Sequence, residues 1–253
     1  MRMHGTLIQS ISVLILLVFC MPSPARDSEN TAGKKDSAGT PPAGMVWIPG
    51  GVFSMGTVGA NNEEGPLHEV TIDGFFMDTA EVTQEDFVRQ IFSNPSFNAT
   101  CPACPVERVT WFEARAYCRK LGKKLPTEAQ WEYAAHSGTQ TIYSWGSNDG
   151  GADSFAWYES NSSFRTHPVA KKGPNAFGLF DMSGNVWEWC ADWYDRDYYQ
   201  KSPEVNPAGP GNGTHRVIRG GSFENTVRAL RPAARDRCKP EARRQNVGFR
   251  CVK

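Results

Sequence analysis

Residues 174–193 read PNAFGLFDMSGNVWEWCADW, and they say more about the fold than any other stretch of the chain. Asp181 and Glu188 lie seven positions apart, on either side of Gly184-Asn185, a dipeptide that favours a turn with positive φ. Such a turn could bring both carboxylates and the intervening carbonyl oxygens onto calcium, which takes roughly six to eight oxygen ligands. Spacing alone favours two surface acids beside a buried tryptophan pair, because acidic side chains are mostly exposed.

Five further segments give this stretch its context. They are GMVWIPGGVFSMG at 44–56, EVTQEDF at 81–87, PVERVTWFEARAYCRKLGKKLPTEAQWEYAAHSG at 105–138, RVIRGGSF at 216–223 and NVGFRC at 246–251. In their order and spelling, the six blocks resemble the formylglycine-generating enzyme (sulfatase-modifying factor) family from Gly44 to Cys251. The resemblance implies an α+β fold, a variant of the C-type-lectin-like architecture with little regular secondary structure. It is much less specific for the chemistry.

The resemblance also changes the interpretation of residues 181–188. Asp181 and Glu188 match the side-chain calcium ligands of the family, and Gly184 and Val186 match its backbone-carbonyl ligands. All four supply hard oxygen atoms, which suit calcium rather than copper or zinc. Taken with the resemblance, the sequence predicts a structural calcium ion that stabilises the fold.

The N-terminal residues indicate export. Residues 1–25 combine the basic Arg2, an apolar stretch and a small-residue Ser23-Pro24-Ala25 site, the features of a secretory signal peptide. The apolar stretch is too short to predict a stable membrane span in the mature chain. We expect a periplasmic or extracellular protein. Lipoprotein anchoring at Cys20 is the less favoured alternative, because Phe19 stands where a small residue is expected.

The remaining chain predicts one domain behind a linker. Residues 26–43 are polar, contain Gly and Pro and lack large apolar side chains, so they predict a flexible linker. Residues 44–253 are long enough for one domain with a sizeable core. With 27 basic and 27 acidic residues the formal net charge is zero, which gives no hint of nucleic acid or an anionic membrane as a partner.

The cysteines predict disulfides, because an even number remains after signal cleavage in an exported chain. Cys101-Pro-Ala-Cys104 can be a local bridge, a redox pair or half a metal site; the structural bridge is favoured because no second pair has zinc-like spacing. Cys190 and Cys238 either pair with each other or stay free. The family resemblance implies a bridge between Cys118 and Cys251.

Local signals predict three helices. Thr110 with Glu113 and Thr127 with Gln130 read as capping boxes, the first opening a helix that ends at Gly122. A weaker helix begins at Thr83. Short β-prone runs make up much of the rest, at Val46–Ile48, Val70–Ile72 and Arg216–Arg219.

The sequence differs from the family at the positions that bind copper. In its copper-dependent oxidases, two cysteines five residues apart follow the Gly-Gly-Ser turn and bind Cu(I), and oxygen then converts the cysteine of a Cys-X-Pro-X-Arg peptide to formylglycine. Counting from Gly220-Gly221-Ser222, those positions here are Asn225 and Leu230. Neither is a soft thiolate, the ligand that Cu(I) requires, so we do not expect copper. The short stretch between 87 and 105 also makes a sulfatase-type peptide groove doubtful.

Other residues of the family's active-site pocket have matches in this sequence. Trp187, Ser222 and Asn246 match positions that line the family's active-site pocket, although each also reads as a core, turn or loop residue. Glu224 follows the Gly-Gly-Ser turn, and with Asn225 and Arg228 it could do acid–base work or bind a polar ligand. The alternative is a solvated Glu224 beside a structural ion network of arginines. These are Arg216, Arg219, Arg228, Arg231 and Arg235.

Two classes of function follow from the resemblance. The first is an exported enzyme of the cysteine-less branch, similar to periplasmic members that act in pyoverdine maturation or beside nitrite reductase. It would assist the oxidative maturation or tailoring of a small-molecule or peptide substrate, with Glu224, Ser222 and Trp187 as catalytic candidates. The second is a non-catalytic lectin-like module that holds an envelope protein or a glycan. True formylglycine generation comes third.

Overall fold

The computed structural model describes Met1 and residues 39–58 and 63–253. Apart from Met1, the signal peptide expected at 1–25 lies outside these residues, and so does most of the linker at 26–43. Across the described ranges, no helix has both the length and the apolar character that a bilayer crossing requires.

Short strands form three small sheets in the described part of the chain. In the first, β1 (Met45–Ile48) pairs antiparallel with β4 (Phe75–Asp78). In the second, β2 (Gly51–Met55) pairs antiparallel with β3 (His68–Ile72). The third has the order β7-β6-β5-β8, with β5 at Trp187–Trp193, β6 at Arg216–Arg219, β7 at Arg235–Cys238 and β8 at Val247–Gly248. Only β8 joins parallel to its neighbour, β5.

The three expected helices are present. They are α1 (Gln84–Ile91), α2 (Trp111–Lys120) and α3 (Glu128–His136), and a short α4 (Ala152–Phe155) follows. Both capping boxes are confirmed, because each N-cap threonine and the residue three positions later exchange hydrogen bonds. The α2 helix ends at Lys120, slightly before the Gly122 that the sequence predicted.

Strand β5 lies at the centre of the core, although the sequence signals only a turn and an aromatic run there. Four consecutive residues, 187–190, are buried, so both faces of the strand are covered. Trp189 donates its indole N–H to the Val109 carbonyl at 3.0 Å. Trp111 of α2 donates to the Cys190 carbonyl at 2.8 Å. These bonds fasten α2 and the segment before it to one side of β5.

Two disulfides link distant and local parts of the domain. Cys118 at the end of α2 is bonded to Cys251, the pairing that the resemblance implies. Cys101 and Cys104 form a local bridge. Cys190 and Cys238 are both buried and free, so of the two alternatives for this pair the structure has the unbonded one.

Arginines of the C-terminal region form ion pairs with glutamates of other segments, and those of Arg219 and Arg235 are fully buried. The pairs are Arg219 with Glu132, Arg231 with Glu64 and Arg235 with Glu128. Burial raises the pKa of Glu132, but the Arg219 charge outweighs it and lowers that pKa to about 2. The structural interpretation of these three arginines is therefore the one that the fold supports.

Candidate functional site

The turn between the two expected calcium carboxylates has the predicted backbone. Gly184 has φ +82° and Asn185 φ +56°, both in the left-handed region. A Cβ on Gly184 would collide with the backbone carbonyl of Trp157, which runs alongside the turn, so only glycine fits there. Asn185 donates its side-chain N–H to Glu81 at 2.9 Å, which fixes the turn against the segment that precedes α1.

Glu188 does not face an open site. Its two carboxylate oxygens each accept a hydrogen bond from Arg250, at 2.8 Å, and one also accepts the indole N–H of Trp131 at 2.9 Å. Both charged side chains are essentially inaccessible to solvent. The pair therefore joins β5 to the last segment of the chain through a bidentate, charge-assisted contact.

Asp181 and Glu81 place two more carboxylates beside this pair. Asp181 accepts the Ala170 N–H at 2.7 Å through one oxygen, while its other oxygen is buried without a hydrogen-bond partner. Burial raises the pKa of Asp181 to about 6. Burial and the charges of Asp181 and Glu188 raise the pKa of Glu81 well above its usual value. Nearby, Arg250 supplies the positive charge that partly offsets these acids.

The four calcium ligands that the sequence predicts match this geometry only in part. Asp181 offers one free oxygen, but both oxygens of Glu188 are already bonded to Arg250 and Trp131. A cation ligated by Glu188 would have to displace the guanidinium and leave it buried without its partner. Within the described ranges, no group of three or more His, Cys, Asp or Glu side chains is arranged to hold a metal. Calcium remains a prediction from the sequence.

The Gly-Gly-Ser turn brings together most of the predicted pocket residues. Ser222 is buried and donates its hydroxyl to the Asn225 side chain at 2.7 Å. Asn246 donates its side-chain N–H to Glu224 at 2.5 Å, and its backbone carbonyl accepts the Trp187 N–H at 2.8 Å. We call these five residues the Ser222 cluster. Glu224 is its exposed member, so the carboxylate that Asn246 orients faces solvent.

Arg228 does not join the Ser222 cluster through any hydrogen bond of its side chain in the described part of the molecule. It is exposed and lies in a 3₁₀ turn at Val227–Leu230. The exposed, unpaired Arg228 is available to an anionic group but is not positioned by the cluster.

The two positions of the copper cysteines are filled by residues with other roles. Asn225 accepts the Ser222 hydroxyl, and Leu230 is completely buried in a small aromatic cluster with Tyr143. Neither side chain can supply a thiolate, so the donor set that Cu(I) requires is missing here. Cys238 and Cys190 are buried, and burial raises the pKa of both thiols, which disfavours the thiolate form.

Sequence reasoning missed three contributors to this region: Glu81, Trp131 and Arg250. Each lies inside a segment that was recognised, Glu81 at the start of EVTQEDF, Trp131 in the long central block and Arg250 in NVGFRC. The available signal was the charge of Arg250 among the apolar residues of NVGFRC, since a buried charge requires a partner. The identity of the partner is set by tertiary contacts.

Comparisons with known proteins agree with this fold. The sulfatase-modifying factor enzyme 1-like domain matches residues 30–253. The formylglycine-generating enzyme of Bos taurus is 31% identical over 282 residues, covering 84% of this chain and 75% of the relative. The serine/threonine-protein kinase pkn1 of Chlamydia pneumoniae is 35% identical over 241 residues, and this chain spans only 38% of its length.

Solved structures show the same similarity. The Treponema denticola variable protein 1 superposes with a TM-score of 0.76 at 29% identity, covering 82% of this chain and 94% of that one. PvdO from Pseudomonas aeruginosa superposes with a TM-score of 0.72 at 28% identity, covering 82% and 93%. The likeness therefore extends over nearly the whole of both solved chains.

Proposed function

Because the chain belongs to the family of sulfatase-modifying factor enzyme 1-like domains, we propose that it is an exported maturation factor without copper–thiolate chemistry. It assists the oxidative maturation or tailoring of a specific small-molecule or peptide substrate in the periplasm. The observation that carries this proposal is the Ser222 cluster, in which Asn246 fixes the exposed Glu224 carboxylate and Asn225 stands where the copper enzymes have a cysteine. Family membership supports the fold, and the cluster supports the choice of chemistry.

Glu224 is the group that we assign to proton transfer. Its carboxylate is exposed, and one oxygen is fixed by the Asn246 side chain at 2.5 Å. A carboxylate held in one orientation at the surface can accept or return a proton from a bound substrate. Trp187 helps to position Asn246 because its backbone N–H donates a hydrogen bond to the Asn246 carbonyl.

The second candidate is the lectin-like module that binds an envelope protein or a glycan, a function that needs no activated nucleophile in the Ser222 cluster. Ser222 donates its hydroxyl to an amide oxygen and not to a histidine or carboxylate. Without a neighbouring base the hydroxyl is not activated as a nucleophile. Covalent catalysis through Ser222 is therefore no part of the enzyme proposal, which depends on Glu224.

Deletion of the gene in its host tests the proposal. Metabolites and peptides of the periplasm and medium are compared by mass spectrometry between the wild-type and deletion strains. We expect the deletion to accumulate a substrate lacking one modification, and the wild-type gene to restore the product. Glu224→Gln should fail to restore it at an unchanged protein level. Glu241→Gln, at an exposed glutamate outside the cluster, is the matched control and should restore it.

Two results contradict the enzyme proposal. One is full restoration of the product by Glu224→Gln. The other is a deletion strain with an unchanged product profile, together with capture of an envelope protein or glycan by the purified wild-type chain. The second result would establish the binding module instead. Fractionation of the same strains tests export, which predicts the mature chain in the periplasm or medium.

A further inference from the structure

A cleft of about 260 Å³ lies outside the Ser222 cluster. It is formed where the end of β2, the end of α3 and residues 140–142 meet Arg231. No member of the Ser222 cluster lines it. Its volume lies just below the usual range for small-molecule sites, which is about 300–1,000 Å³. The cleft can therefore hold only a ligand smaller than most.

Exposed apolar side chains gather at this cleft. Val58, Leu67 and Ile142 are 77%, 43% and 53% exposed, and all three line it. Such residues are normal when scattered singly over a surface, but their convergence on one concavity is characteristic of a binding site. Part of a ligand in this cleft would accordingly be apolar.

His136, at the end of α3, gives the cleft an unsatisfied polar group. Its side chain is only 10% exposed, and neither ring nitrogen has a hydrogen-bond partner among the residues that the structure describes. An oxygen of Glu132 lies 3.7 Å from Nε2, which is too far for a hydrogen bond. Buried polar groups in folded proteins are nearly always paired, and leaving one unpaired is destabilising.

The charged side chains around His136 already have ion-pair partners. Glu132 accepts the Gly56 N–H at 2.7 Å and pairs with Arg219. Arg231 forms two hydrogen bonds with Glu64, at 2.7 and 2.8 Å. The described walls of the cleft thus hold ion pairs and not a free charge. An ion entering the cleft would lose its hydration without gaining a counter-charge, which disfavours charged ligands.

We propose that this cleft binds a small uncharged molecule with a branched apolar part and an amide or hydroxyl group. The apolar part contacts Val58, Leu67 and Ile142, and the amide or hydroxyl forms a hydrogen bond with His136. This site is separate from the Ser222 cluster and does not depend on the function proposed for it.

Isobutyramide is a suitable probe because it joins a branched apolar group to an uncharged amide. The full chain, labelled with ¹⁵N, is titrated with isobutyramide while the backbone signals of Thr141 and Ile142 and the ring nitrogens of His136 are followed by NMR. We expect saturable shifts of all three groups. Isobutyrate, which has the same shape and a negative charge, should bind more weakly.

Two variants locate the hydrogen bond. His136→Phe keeps the ring but removes both nitrogens, so we expect isobutyramide to bind about three- to tenfold more weakly, as one net hydrogen bond predicts. Its melting temperature should equal or exceed that of the wild type, because the lost nitrogens have no partner. His215→Phe makes the same chemical change at a histidine outside the cleft and should bind as the wild type does. Ile142→Asp, at an exposed position, should also weaken binding.

The proposal is overturned by any of three results. They are the absence of saturable shifts with isobutyramide, unchanged binding in His136→Phe, and tighter binding of isobutyrate than of isobutyramide. A marked fall in the melting temperature of His136→Phe would overturn only the hydrogen bond assigned to His136, since the nitrogens would then have a structural role. In that case Ile142→Asp still reports whether the cleft binds the probe.

Discussion

Arg250 holds Glu188 by two hydrogen bonds of 2.8 Å, one to each carboxylate oxygen, in a fully buried contact between the end of the chain and β5. We predict that Glu188→Gln lowers the free energy of unfolding by about 3–5 kcal/mol, because the Arg250 charge is left buried without its counter-charge. Urea denaturation measures the change. Arg243→Gln, which breaks the exposed contact with Glu113, is the control and should cost no more than about 1 kcal/mol. Equal losses of unfolding free energy in the two variants would contradict a larger contribution from the buried pair.

The buried Arg250–Glu188 pair leads to an expectation opposite to the one from the sequence: calcium should have little effect on stability. Binding through Glu188 would require the release of Arg250, and that cost offsets the gain from the ion. We expect the melting temperature of chelator-treated protein to stay unchanged when calcium is added back. A saturable rise with calcium that disappears in Asp181→Asn would contradict this expectation. It would show that the ligands predicted from the sequence do assemble once Glu188 turns away from Arg250.

The two disulfides should differ in their contribution to stability. Cys118 and Cys251 are separated by 133 positions, whereas Cys101 and Cys104 are separated by 3. Chain entropy predicts a loss of about 5 kcal/mol when the long loop is opened and about 2 kcal/mol for the short one. Paired Cys→Ser variants of each bridge, compared by urea denaturation, measure the difference. A larger loss for the Cys101–Cys104 variant would contradict the entropic explanation.

Glu107 should make stability depend on pH. It is buried, one carboxylate oxygen accepts the Phe97 N–H at 2.5 Å, and the other oxygen has no partner. Burial raises the pKa of Glu107 from 4.5 to about 7. The folded state therefore holds a proton more tightly than the unfolded state, so this stabilising contribution is complete below pH 4.5 and is lost as the pH rises through about 7.

Glu107→Gln isolates this effect because glutamine keeps the acceptor for the Phe97 N–H and cannot ionise. We expect the wild type to lose stability relative to this variant between pH 5 and pH 8, on the order of 1 kcal/mol after allowance for solvent screening. Urea denaturation of both proteins at the two pH values measures the difference. A difference that does not change with pH would contradict the raised pKa.

Local signals explain which parts of the fold could be predicted. The capping boxes at Thr110 and Thr127 and the Gly184-Asn185 turn depend on residues within a few positions of one another, and all three form as predicted. Strand β5 could not be recognised by alternation, because residues 187–190 are buried on both faces. Its assignment depends on pairing with β6 and β8, which lie later in the chain.

In the candidate site, too, local contacts could be predicted from the sequence and distant ones could not. The Ser222 cluster could be approached from the sequence, since Ser222, Glu224 and Asn225 lie within one turn and Asn246 belongs to a recognised block. The role of Glu188 could not, because its partner Arg250 is 62 residues away. Both residues were visible in their segments, but only the packing of the last segment against β5 shows that the carboxylate is already bonded.

Loss of the copper chemistry is the central claim, and one assay tests it most directly. The purified chain and the Bos taurus formylglycine-generating enzyme are each incubated with a Cys-X-Pro-X-Arg peptide, Cu(I) and oxygen, and the peptide mass is followed. With Asn225 and Leu230 at the cysteine positions, we predict that the peptide thiol stays unchanged while the control enzyme converts it to formylglycine. Formation of formylglycine by this chain, at a rate proportional to its concentration, would contradict the account.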